Sequence, residues 1–214
     1  NIPETVTTIG SSAFYNCTEL TSINIPNSVT KIGSYAFQFC EAITAITIPE
    51  SIITTHSITA RISIHKPAQY HNRDKGNAFQ YCRALASISI PNSVISIGDY
   101  AFSDCSALTS IRIPESVTTI GAGIVTGCTN LTEIQVEAGN PAYSAVDNIL
   151  YDKEQTTLIQ CLPSKTSVSL PATVTVIGSS AFNNCTGLTS ITLPQSLTTI
   201  GDRAFWNCTS LTSI

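Results

Sequence analysis

Any chemistry in this chain would have to come from its three histidines, its eight cysteines or its many hydroxyl groups. His56, His65 and His71 stand 9 and 6 positions apart, among Arg61, Lys66, Arg73 and Lys75. A metal centre needs its ligands in one coordination sphere. These spacings match no helical or tight-turn ligand motif, and no Cys, Asp or Glu pattern completes a set. Nucleophilic catalysis needs a base beside the nucleophile and a third group to orient it. The serines and threonines instead recur at a fixed period, and neither a Gly-x-Ser-x-Gly elbow nor a phosphate-cradling glycine run occurs. The expectation is therefore no enzyme, no metal site and no cofactor. The irregular stretch 54–76 reads as a basic insertion that could contact an acidic partner through Arg61, Lys66, His71, Arg73 and Lys75.

Seven of the cysteines, Cys17, Cys40, Cys82, Cys105, Cys128, Cys185 and Cys208, share one position of an internal repeat. Equivalent side chains in stacked units point the same way. Parallel placement argues against bridging even at a separation that a disulfide tolerates. They are expected to be reduced and buried, as small apolar residues. Cys161 stands outside that register and is expected to pack locally.

The repeat dictates the elements that position everything else. Pro3, Pro26 and Pro49 are 23 residues apart, as are Pro91 and Pro114, and Pro171 and Pro194. In the unit Pro26 to Ile48, Ala45-Ile46-Thr47-Ile48 alternates as a strand with one buried face. Ala36-Phe37-Gln38-Phe39-Cys40, followed by Ile43, has the one, three and four spacing expected of a short helical turn. Gly33 is expected to relieve a tight bend, and the proline after each strand, lacking an N–H, ends pairing. So small a unit cannot bury its own apolar face, so units must stack, one strand each, as a parallel sheet. The expected strands are 23–25, 46–48, 88–90, 111–113, 134–136, 168–170, 191–193 and 212–214. Inward ladders follow: Ile23, Ile46, Ile88, Ile111, Ile134, Val168 and Ile191 on one side, with Phe14, Phe37, Phe79, Phe102, Phe182 and Phe205 on the other.

Composition agrees with such a scaffold. Aromatic residues make up only 7% and charged residues 11%, too few for an ordinary aromatic core, and the net charge of −4 contains no block of like charges. Nucleic acid and a membrane surface are thus not expected as partners. No apolar run approaches the roughly 18 residues needed to span a bilayer. The sequence opens on Asn1-Ile2-Pro3 and stops within a strand, which reads as a fragment. Its open strand edges predict end-to-end self-association.

The pattern P-x-S-V-T-x-I-G-x-x-A-F-x-x-C-x-x-L-T-x-I-x-I closely resembles the BspA-like class of leucine-rich repeats. It covers nearly all of the chain outside two interruptions. The resemblance implies an α/β, right-handed leucine-rich-repeat solenoid with a parallel concave sheet, short helical turns and a hairpin insertion, spanning 1–214 as one domain. It also implies cell-surface or secreted proteins that adhere to host, matrix or cell-surface proteins.

Of the two interruptions, the segment between Pro114 and Pro171 holds an enlarged unit, 137–170. There Asn148-Ile149-Leu150-Tyr151 and Thr157-Leu158-Ile159-Gln160 flank a polar stretch and suit a hairpin. The segment between Pro49 and Pro91 is 19 residues longer than one unit and 4 short of two. Codons permitted for Gln69 to Asp74, read one base later, also permit Ser-Ile-Thr-Thr-Glu, which leaves a frameshifted repeat open beside a true insertion.

Between the buried isoleucines, one row projects onto the concave face. It comprises Asn24, Thr47, Ser89, Arg112, Gln135, Ser169 and Thr192, with Glu133 among the residues flanking it. Arg112, Glu133 and Gln135 interrupt a run of small hydroxyl residues and are the candidate specific contacts. Two readings stay open: a protein-binding, adhesin-like module using the concave face or the basic insertion, and a passive spacer carrying another domain away from a surface.

Overall fold

Residues 2–33, 35–52 and 77–214 are described by a computed structural model. Short strands recur along the chain: β1 (Thr8–Ile9), β2 (Lys31–Ile32), β3 (Ala45–Thr47), β4 (Ser87–Ser89), β5 (Ser96–Ile97), β6 (Ser110–Ile113), β7 (Thr119–Ile120), β8 (Glu133–Val136), β9 (Tyr143–Val146), β10 (Ile149–Asp152), β11 (Thr157–Cys161), β12 (Ser167–Ser169), β13 (Val176–Ile177), β14 (Ser190–Thr192) and β15 (Thr199–Ile200). They form two parallel ladders. In one, β3 pairs with β4, β6 with β8, and β12 with β14; in the other, β1 pairs with β2, β5 with β7, and β11 with β13 and then β15.

Two expectations need correction. Interior units carry two strands rather than one, as in β2 with β3, β5 with β6, β7 with β8 and β13 with β14, because the x-Ile after each proline pairs with its equivalent one unit away. The expected strands at 23–25 and 212–214 do not form, the latter leaving only a bridge from Ser213 to Ser190. The first ladder also begins one residue earlier than expected. The Ala-Phe segment is not a helical turn, and among the described residues there is no helix, so the class is not α/β. Two residues per turn adopt left-handed backbone, Ser12 (φ 58°) and Asn16 (φ 60°) in the first unit and Tyr100 (φ 52°) and Asp104 (φ 59°) in a later one. Left-handed residues at both ends of a four-residue step cannot propagate a helix. N–H groups alternate their partners: Tyr15 donates back to Ser12, whereas Phe14 and Asn16 donate across to Ala36 and Gln38. The turns are thereby stitched to their neighbours, which a helix would not permit.

Burial follows the repeat. Val29, Ile32, Ala36, Phe37, Cys40, Ile43, Ile46 and Ile48 are all buried within one unit. The phenylalanines stack, Phe14 on Phe37 at 5.2 Å, Phe37 on Phe79 at 5.6 Å and Phe79 on Phe102 at 5.7 Å. All eight cysteines are free thiols. They do more than fill space: the thiol of Cys105 donates to the Phe79 carbonyl at 3.0 Å and that of Cys128 to Phe102 at 3.0 Å, a bond from each rung to the one before. Hydroxyls repeat the device, as Thr132 donates to Thr109 O and Ser116 to Val94 O. The Ser/Thr-rich composition is thus partly an inter-unit hydrogen-bond network. Gly33 has a different role from the expected bend. A Cβ there would stand 2.5 Å from the Ser11 nitrogen and 2.7 Å from Gly10 C, so the glycine is required by close backbone approach between units.

Stacking is continuous past the first interruption. Phe37 N–H donates to Ala78 O, and β3 pairs directly with β4. The stretch from Asn77 to Ile90 therefore occupies the level after Ala36 to Ile48.

At the second interruption, β9, β10 and β11 fold as an antiparallel meander, of which β10 and β11 are the expected hairpin and β9 an additional strand. Both parallel ladders break here, and side chains take over their main-chain bonds. Ile120 N–H donates to the Tyr143 hydroxyl at 2.9 Å, which itself donates to Thr118 O. Ile134 N–H donates to Asn148 Oδ1. Asn140, fully buried, donates from Nδ2 to Pro114 O and Val117 O at 2.7 and 2.9 Å, and accepts at Oδ1 from the N–H groups of Ala142 and Tyr143. Gly123, at φ 64°, leaves the space over which the Tyr100 ring reaches Ser180 Oγ at 2.8 Å.

Candidate functional site

Alternation within the first ladder decides what the strand face can present. Ile111 and Ile134 point into the core, so Ser110, Arg112, Glu133 and Gln135 point out. Asn24, Thr47, Ser89 and Thr192 are exposed likewise. The structure brings only some of these together. Thr47 faces Ser89 across β3 and β4, and Thr192 faces Ser169 across β14 and β12, beyond the meander. Arg112 is the register partner of Gln135, and Ser110 of Glu133. Asn24 lies beside Thr47, the two lining one shallow depression with Ile2, Phe14, Ile23 and Ala45. Arg61, Lys66, His71, Arg73 and Lys75 of the basic insertion lie outside the described residues.

Around Arg112 the polar groups form two bonded pairs on adjacent levels. Its Nε stands 3.0 Å from Glu137 Oε1, and the other oxygen of that carboxylate accepts the Glu115 N–H at 3.0 Å. Gln135 Nε2 donates to Glu133 Oε1 at 2.7 Å. One level further on, the turn between β9 and β10 takes the place of the missing strand, pinned by the bond from Ile134 N–H to Asn148. Its Asp147 pairs with Lys165 at 2.8 Å. Asp147 is 79% exposed and Arg112 68% in their side chains, and Val146 between them in chain order is an exposed apolar residue. Paired charges that remain this exposed add at most about 1 kcal/mol to stability. Their heads are held in position yet remain open to a partner.

Glu137, Asp147 and Lys165 do not stand out in the sequence as site residues. Glu137 is the residue after β8, and the other two reach the face only because the meander folds back. A signal was present: Asp147-Asn148 between Ala145-Val146 and Ile149-Leu150 is a two-residue hairpin dipeptide, and both residues adopt the left-handed conformation that such a turn requires. Among the described residues no group of three or more His, Cys, Asp or Glu could hold a metal ion, and no helix is long and apolar enough to cross a membrane.

The profile of the BspA type leucine rich repeat region matches residues 1–62, 75–151 and 154–214, in 6 copies. Among solved structures, the chain is similar to the pneumococcal vaccine antigen PcpA, with a TM-score of 0.75 and 23% identity over 99% of this chain and 49% of that one. It is also similar to a leucine-rich cell surface protein from Faecalibacterium prausnitzii, with a TM-score of 0.69 and 31% identity over 100% of this chain and 59% of that one. A leucine-rich repeat protein from Bacteroides ovatus gives a TM-score of 0.61 and 29% identity, covering 92% of this chain and 43% of that one. The chain thus spans roughly half the length of these three proteins. A search of curated proteins finds no match.

Proposed function

This chain belongs to the BspA-type leucine-rich-repeat family, and on that premise we propose that it is a non-enzymatic, adhesin-like module that recognises a protein through its strand face. The observation that carries this reading is the clustering of Arg112, Glu133, Gln135, Glu137, Asp147 and Lys165 on consecutive levels of a face that otherwise bears Ser, Thr, Ala and Asn. Preformed ion pairs and a pinned turn give a rigid polar surface, which favours orientation and specificity in docking. The setting proposed is a cell surface or the medium outside a cell. This is supported by the description of the Faecalibacterium prausnitzii neighbour as a cell surface protein and of PcpA as a vaccine antigen.

A test is direct. The protein is screened by biolayer interferometry against matrix proteins and cell-surface proteins, and the bound state is footprinted by hydrogen exchange. Protection centred on β6, β8 and 146–148 is expected. Protection confined to the second ladder, β5, β7 and β13, overturns the site assignment. Absence of binding to every candidate favours the spacer reading, which the hydroxyl-only stretches of β4 and β12 already suit.

A further inference from the structure

The cysteine ladder has one irregular rung. Cys40, Cys82, Cys105, Cys128 and Cys208 each donate to a carbonyl of their own, those of Phe14, Phe37, Phe79, Phe102 and Phe182, at distances between 3.0 and 3.2 Å. Cys161 and Cys185 instead share one acceptor. Both thiols lie 3.6 Å from the Leu162 carbonyl oxygen. The cause is the meander: β11 ends at Cys161, whose N–H donates to Ala181 O at 2.7 Å, so this residue lies against the turn that carries Cys185. Two sulfurs that converge on one oxygen can be no further apart than twice that distance. The Cys185 thiol is pushed far above its usual range, first by its hydrogen bond to Cys161 and then by burial.

We propose that Cys161 and Cys185 are a disulfide-forming pair that staples the meander to the unit after it. Disulfides need side chains that converge across a Cα separation of about 4.4–6.8 Å. Neighbouring levels of a parallel stack, about 4.8 Å apart, supply the separation. Only this pair supplies the convergence, because ladder thiols point in parallel, each at the rung before it.

The oxidant is a small or enzyme-borne disulfide, R–S–S–R. One protein thiolate attacks it, forming a mixed disulfide and releasing one R–SH. The second protein thiolate attacks the protein sulfur of that mixed disulfide, closing the Cys161–Cys185 bond and releasing the second R–SH. Two protons and two electrons pass from the pair to the oxidant. Both thiols are fully buried, so exchange proceeds while this stretch is open, during folding or local unfolding.

The test is oxidative refolding of the full chain in mixtures of reduced and oxidised glutathione. Tryptic cleavage after Lys153, Lys165 and Arg203 isolates Cys161 in peptide 154–165 and Cys185 in peptide 166–203. The expected result is these two peptides joined and separating on reduction, with the other six cysteines alkylatable after denaturation. Cys161→Ser and Cys185→Ser should each abolish the bridge and leave seven thiols. Oxidised wild type should also unfold at a higher temperature than reduced, a difference absent from both variants. Eight free thiols in the most oxidising mixture, or a bridge between ladder cysteines, overturns the proposal. If either serine variant fails to fold, the wild-type map decides alone.

Discussion

Asn140 is the side chain on which the enlarged unit most depends. Replacing it by Ala removes four hydrogen bonds at a fully buried site, leaving the carbonyls of Pro114 and Val117 without their donor and the N–H groups of Ala142 and Tyr143 without their acceptor. An orphaned buried polar group costs about 1–3 kcal/mol, and partial relaxation keeps the total below the simple sum, so about 3–5 kcal/mol is expected. For a chain of this size each kcal/mol lowers the unfolding midpoint by about 2–4 °C, giving a fall on the order of 10 °C by calorimetry or circular dichroism. Asn140→Asp is the sharper variant. It keeps the acceptor for the two N–H groups but faces the two carbonyls with an oxygen, so the folded state favours the protonated carboxyl and raises its pKa. A raised folded-state pKa means that stability is retained below the unfolded value, near 3.9, and lost as pH rises through the folded one. This variant should therefore be most nearly wild-type in acid and lose ground toward neutral pH. If Asn140→Ala unfolds within 1 °C of wild type, the side chain does not hold the ladder break as described.

Other perturbations follow from the same contacts. Gly33→Ala places a Cβ against the backbone of the preceding unit and should cost about 1–3 kcal/mol, whereas Gly10→Ala meets nothing within 4 Å and should be tolerated; equal urea midpoints for the two would refute the close-approach argument. Burial raises the Cys40 and Cys208 thiols to about 11, each with a smaller contribution from a neighbouring thiol. A raised folded-state pKa gives stability that is fully present below the unfolded value near 9 and lost through 11, so denaturation midpoints of the fully reduced protein should fall over that window; a flat profile contradicts it. Arg112→Ala should leave stability within about 1 kcal/mol of wild type in urea titrations, because its ion pair is exposed; a larger loss would make it a structural residue.

The solenoid was legible because its apolar ladders recur every 23 residues, and the burial of Ile46, Ile111, Phe37 and Phe102 follows that register. The turns were misread because Ala-Phe-x-x-Cys-x-x-Leu has helical spacing whether or not a helix forms. Asn16, Asp104, Gly127, Asn184 and Asn207 carried the competing signal, as residue types that tolerate left-handed backbone, but Phe39 and Tyr81 at the same position mask it. The second ladder escaped because two-residue strands are too short for any periodicity. Arg112, Glu133 and Gln135 were visible as departures from Ser and Thr. Their neighbours Asp147 and Lys165 were not, since only the folded meander brings them to that face. The thiol bonds were invisible because Cys at a buried position satisfies an apolar reading equally well.

The strand face at the meander junction is the proposed protein-binding surface. The most direct measurement is the affinity of the Arg112→Ala, Gln135→Ala double variant, beside wild type, for a ligand found in the matrix and cell-surface screen. A loss of at least about tenfold in Kd with an unchanged unfolding midpoint is predicted, since about 1.4 kcal/mol of lost contact energy suffices. An unchanged Kd would contradict it.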